Sequence, residues 1–155
     1  MKKYCLLGIL MGLLFLAGCL GNVERGSIAG EVWNGNGPLV GVLVEAGGVK
    51  TFTDGEGKFL LENVPAGEMF VFFSAPQYVG TFVQTVVPSK GNVVLPKVTL
   101  LPQTEEALKE YIFLLYQSGF YERAVEEAGI FLTAYPVSSH APDIQFIKGA
   151  SLFEL

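Results

Sequence analysis

Thr53-Asp54-Gly55-Glu56-Gly57 stands between two short runs, Val49–Thr53 and Lys58–Leu61, and joins them as a hairpin. Asp54 carries a short carboxylate able to bond backbone amides ahead of it. Gly57 can take the left-handed conformation that strains any residue with a Cβ. The same texture extends in both directions. Runs rich in Val, Phe and Thr alternate with clusters of Gly, Pro, Asn and Asp from Gly26 to about Leu101. They predict seven strands: Ser27–Trp33, Val40–Ala46, Val49–Thr53, Lys58–Leu61, Glu68–Ser74, Gly80–Val87 and Asn92–Leu100. Pro96 interrupts the last, which implies an edge position or a bulge. Asn34-Gly35-Asn36-Gly37-Pro38 supplies another turn. Short strands at near-regular spacing predict an antiparallel sandwich over residues 26–102, with Trp33, Leu43, Phe59 and Phe72 in its core. Phe70 and Phe72 fall on the face opposite Phe73 in a regular strand, so the aromatics need a cover on both sides.

The order of these residues resembles the carboxypeptidase regulatory-like domains, which are prealbumin-like β-sandwiches. The likeness runs through Gly30-Glu31-Val32, Gly37-Pro38-Leu39-Val40-Gly41-Val42, Thr53-Asp54 with Gly57 and Phe59, and Val64-Pro65-Ala66-Gly67. Pro76-Gln77-Tyr78 stands where that family often has a Gly-Tyr pair. The resemblance implies a fold more than a function, because such domains are accessories to many proteins.

After Pro102 the period changes from two to helical, so the fold class is α+β with a short all-α array over residues 103–155. Thr104 can cap a helix with Glu105 and Glu106 in its first turn, and Leu108, Tyr111, Ile112 and Leu115 share one face. Gly119 ends it. A second helix from Tyr121 to about Tyr135 aligns Ala124, Ala128, Phe131 and Tyr135. A third begins near Ala141 and carries Ile144, Ile147, Ala150 and Phe153. Tyr116-Gln117-Ser118-Gly119-Phe120-Tyr121-Glu122-Arg123-Ala124, followed by Phe131 and Tyr135-Pro136, resembles a tetratricopeptide repeat of the kind found in envelope proteins of the outer-membrane assembly and Tol systems. One repeat and the first helix of another are covered, which implies protein–protein interaction. Ile144, Ile147 and Phe153 are the candidate partner-binding residues, expected to be covered by another molecule.

The first residues decide location. Lys2 and Lys3 precede an uncharged apolar run from Tyr4 to Ala17, shorter than the roughly 20 residues of a bilayer span. Leu16-Ala17-Gly18-Cys19 closes it and resembles the lipobox of bacterial lipoproteins. That resemblance implies a signal peptide over residues 1–18, cleavage before Cys19, and acyl chains on Cys19. Residues 19–25 form a short link to the sandwich. Two or more acyl chains anchor a protein stably. Leu20 stands where an Asp would resemble an inner-membrane retention signal, which favours the outer membrane in a cell with two, and otherwise the cell membrane.

Composition narrows the chemistry. The net charge of −5 becomes −7 once Lys2 and Lys3 leave with the signal, and no clustered basic surface remains to favour nucleic acid. Residues 26–102 carry net −2 and residues 103–155 net −5, which biases partners toward basic surfaces. Cys5 leaves with the signal and Cys19 carries lipid, so neither is left for a disulfide. His140 is the only histidine and sits in a loop, too little for a zinc site or a nucleophile–base pair. Asp54 and Glu56 lack the further oxygens that calcium takes. The expectations are therefore no catalytic residues, no metal and no cofactor beyond the covalent lipid. Two functions remain: a non-enzymatic envelope scaffold, or an accessory module whose sandwich holds glycan or peptidoglycan fragments.

Overall fold

The computed structural model describes residues 23–155; Leu16, Ala17, Gly18 and Cys19 lie outside the described residues. Among the described residues nine strand segments form two sheets, and three helices follow. The strands are β1 (Arg25–Asn34), β2 (Gly37–Pro38), β3 (Leu43–Ala46), β4 (Val49–Phe52), β5 (Lys58–Pro65), β6 (Gly67–Ser74), β7 (Thr81–Val87), β8 (Asn92–Val94) and β9 (Val98–Thr99). The helices are α1 (Glu105–Gln117), α2 (Tyr121–Ala134) and α3 (Ala141–Phe153).

One sheet is built around β1, which pairs antiparallel with β2 and β5 and parallel with β8 and β9. The other has the order β4-β3-β6-β7, antiparallel throughout. The expected seven strands, all antiparallel, are thus corrected to nine segments with one mixed sheet. Two differences have local causes. Pro96 offers no N–H, so the last predicted strand breaks into β8 and β9, each paired only with β1. The segment expected as Val40–Ala46 is a strand only from Leu43, with Gly37–Pro38 paired separately.

The sheets face each other across one apolar core. Ile28 and Val32 of β1 and Phe59 and Leu61 of β5 meet Val44 and Ala46 of β3 and Val71 and Phe73 of β6. The members of each pair are two or four apart, as a half-buried strand requires. Phe59 meets Phe73 edge-on at 5.6 Å between ring centroids. Gly30 makes room for that ring, since a Cβ there would stand 2.9 Å from it. Of the four expected core residues only Phe59 lies in this core. Trp33, Leu43 and Phe72 are half-buried, because each belongs to the opposite parity of its strand.

A second core lies outside the first. Leu108, Tyr111, Ile112 and Leu115 of α1 pack with Ala124, Ala128 and Phe131 of α2 and Ile144 and Ile147 of α3. Val79, Phe72 and Phe82 of the sandwich join them. Thr104 caps α1 by accepting the Ala107 N–H at 3.2 Å. The helices therefore form a third layer on the outer face of the β4-β3-β6-β7 sheet.

Candidate functional site

The strand register arranges the outer face of that sheet in cross-strand rows. Leu43 pairs with Phe52 and Ser74, Glu45 with Lys50 and Phe72, and Phe72 in turn with Phe82. Helix α2 lies over these rows. The Phe120 ring, at its start, stands edge-on to Phe70, Phe72 and Phe82 with centroids 4.9, 4.9 and 5.0 Å away. One turn on, the Arg123 guanidinium stacks over Phe72 at 3.9 Å and donates to Glu45 Oε2 at 3.1 Å. Lys50 Nζ holds the other Glu45 oxygen at 2.6 Å. The Lys50 hydrogen bond, with Arg123 adding to it, holds the Glu45 carboxyl below its ordinary range.

Beyond Arg123 the seam opens. A cleft of about 460 Å³ lies between the sheet and the helices. Leu43, Phe52, Gln77, Gln103, Glu127 and Ile130 are among its walls. Phe52 stands 64% exposed at the mouth. Gln77 holds φ at +67°, a conformation costing a non-glycine residue on the order of 1 kcal/mol. Its carbonyl accepts the Gln103 N–H at 2.8 Å, which helps fix the turn. Gly80, also on the wall, lets Tyr111 pack against its backbone: a Cβ on Gly80 would meet the phenol oxygen at 2.8 Å. Burial raises the Tyr111 phenol and the Glu127 carboxyl above their ordinary values, and the nearby Glu127 charge raises Tyr111 further. Among the described residues Glu127 has neither an ion pair nor a hydrogen bond from a side chain. A smaller cavity of about 250 Å³ lies on the other side of Arg123.

Phe120, Arg123, Glu127 and Ile130 were missed from sequence, where α2 showed only its Ala124, Ala128, Phe131 and Tyr135 face. Their spacing of three, four and three residues is itself helical, a second stripe of mixed polarity beside the apolar one. The Asp54 carboxylate accepts the Glu56 and Lys58 amides at 2.9 Å each, which lowers its pKa, and Gly57 has φ +72°. Neither residue lines the seam. His140 lies 3.6 Å from Glu106 at the surface. No cluster of three or more His, Cys, Asp or Glu suited to a metal occurs among the described residues. No described helix is long and apolar enough to cross a membrane.

Ile144 and Ile147 are buried against the chain's own α1 and α2, so the cover expected from another molecule is intramolecular for these two. Phe153 is 89% exposed, and Phe146 on the same side of α3 is 73% exposed.

No family model and no curated protein matches the chain. Solved structures similar to part of it include a type II cohesin–X-dockerin complex from Acetivibrio cellulolyticus, at 16% identity over 50% of this chain and 58% of that one, TM-score 0.43. The Bacillus anthracis TIE protein matches at 19% identity over 51% of this chain and 17% of the other, TM-score 0.44. A Bacteroides uniformis structure described as that of a putative carbohydrate binding protein matches at 22% over 50% and 41%, TM-score 0.36. This chain thus spans little more than half of the first of them. At TM-scores below 0.5 the fold rests on the strand pairing above and not on these likenesses.

Proposed function

We propose that the chain is a lipid-anchored envelope adaptor, tethered through Cys19, with a carboxypeptidase regulatory-like sandwich as stem and a tetratricopeptide-like helical layer as the binding end. No catalytic constellation is assigned to it. The observation that carries this reading is α3, which is apolar on two sides. Ile144 and Ile147 face the helical core, while Phe146 and Phe153 point away from it at helical spacing. A second apolar side on a helix is ordinarily covered by a neighbour. Repeat helices of this kind complete their cores by stacking a neighbour on such a face. The occupant on this reading is a helix of a partner polypeptide lying along Phe146 and Phe153, held at the distance from the membrane that the sandwich sets.

Photo-crosslinking tests it in the lipidated protein in its own membrane. A benzophenone side chain at Phe146 or Phe153 is expected to give one discrete adduct, and the same probe at exposed Lys90 none. The adduct mass separates a second copy of this chain from another protein. No adduct, or the same pattern from Lys90, would remove the adaptor reading.

A further inference from the structure

The seam between sheet and helices is unevenly neutralised. It holds two carboxylates, Glu45 and Glu127, and both nearby cations serve the first. Arg123 and Lys50 each take one Glu45 oxygen, at 3.1 and 2.6 Å. Arg123 is further held by its stack on Phe72, so its guanidinium is not free to turn to Glu127 one turn along the helix. Glu127 is left half-buried, beside Glu126 in sequence, on the wall of an open cleft. Arg123 acts on Glu127 only through space, too weakly to offset burial and the Glu126 charge. A carboxylate partly withdrawn from water with no direct ion pair among the described residues is a costly arrangement for the free protein, and an incoming positive group relieves it.

The rest of the cleft fits the remainder of such a group. Leu43, Phe52 and Ile130 offer apolar surface for a methylene stem, and exposed Phe52 offers a ring face at the mouth. Gln77 and Gln103 bring carboxamide oxygens able to accept further N–H bonds. We infer that this cleft is a binding site for the side chain of an arginine or lysine presented by a partner polypeptide, with Glu127 as its counter-ion. The site is separate from the α3 face: no residue of α3 lines it. It also gives the acidic balance of residues 103–155 a specific place to act.

The test uses the lipid-free chain, residues 20–155, which contains every described element. The probe is N-acetyl-arginine amide, with N-acetyl-citrulline amide as a neutral molecule of nearly the same shape. Backbone amide shifts are followed by NMR. Arginine amide is expected to give saturable shifts at Gln77, Gly80, Gln103 and residues 127–130, with the citrulline compound weaker by about tenfold or more. Glu127→Gln is expected to weaken arginine amide by about the same factor, while Glu122→Gln, exposed on the same helix, leaves it unchanged. Binding of the two probes within about twofold of each other would overturn the inference without any variant. So would shifts confined to other residues, absence of saturation, or a Glu127→Gln chain that binds arginine amide as before. Phe146→Glu, which disables the α3 face, should leave the cleft's binding intact, so the two readings fail separately.

Discussion

Phe120→Ala removes the side chain through which the helices grip the sheet. Its ring meets three phenylalanine rings edge-on at about 5 Å and is itself half-buried. A phenylalanine of this standing withdraws roughly 100 Å² from water, worth about 2.5 kcal/mol at 25 cal/mol per Å². The edge-on contacts add about 0.5–1.5 kcal/mol, taken together because their energies do not sum independently. Phe120 makes no side-chain cap for α2, so the substitution carries no capping cost of its own. The expected loss is therefore about 3–4 kcal/mol, a drop in Tm of roughly 10 °C or more for a chain of this size. Calorimetry on the lipid-free chain reads it, with Phe113→Ala as control because Phe113, 44% exposed on α1, belongs to neither core. The control should cost less than about 1 kcal/mol. A Phe120→Ala loss as small as the control's would refute the claim that this ring couples the layers.

Phe59→Ala, in the sandwich core against Gly30 and Phe73, should cost about 3–5 kcal/mol in urea unfolding; a loss below about 1 kcal/mol would put the ring elsewhere. Glu127 supplies a pH dependence. Its folded carboxyl is raised above the ordinary 4.5, so the folded state binds the proton more tightly than the unfolded chain. The associated stability is full below the unfolded pKa and lost as pH rises through the folded one. Glu127→Gln should consequently gain on the native protein between acid and neutral pH, and a constant difference across that range would contradict the burial assigned to Glu127. Cys19→Ala should abolish incorporation of labelled palmitate and leave the precursor unprocessed; continued labelling would displace the lipid attachment from Cys19.

How far the sequence could be read depended on whether a pattern had one face or two. Helix α1 has one continuous apolar stripe, Leu108, Tyr111, Ile112 and Leu115, and all four are buried, while Phe113 and Leu114 stand off it and exposed. Strand β6 reads Met-Phe-Val-Phe-Phe and is apolar on both faces, so alternation could not say whether Phe72 or Phe73 entered the sandwich. The helical layer decides it by covering Phe72. Helix α3 posed the same ambiguity, with Ile144 and Ile147 on one side and Phe146 and Phe153 on the other. Parallel pairing of β8 and β9 with β1 joins residues more than sixty positions apart and has no turn to announce it. The cleft was illegible for another reason. Glu127 looked like one more charge on a solvated helix face, and only the fold shows Lys50 and Arg123 both committed to Glu45.

The helical layer and the sandwich pack through Phe72, Val79 and Phe82 into one body. Trp33, the only tryptophan, reports on the sandwich by fluorescence, and circular dichroism at 222 nm reports on α1, α2 and α3. Urea unfolding of the lipid-free chain followed by both signals should give coincident transitions with one midpoint and one slope. Separate midpoints in the native sequence, with the helical signal lost first while Trp33 stays folded, would contradict it.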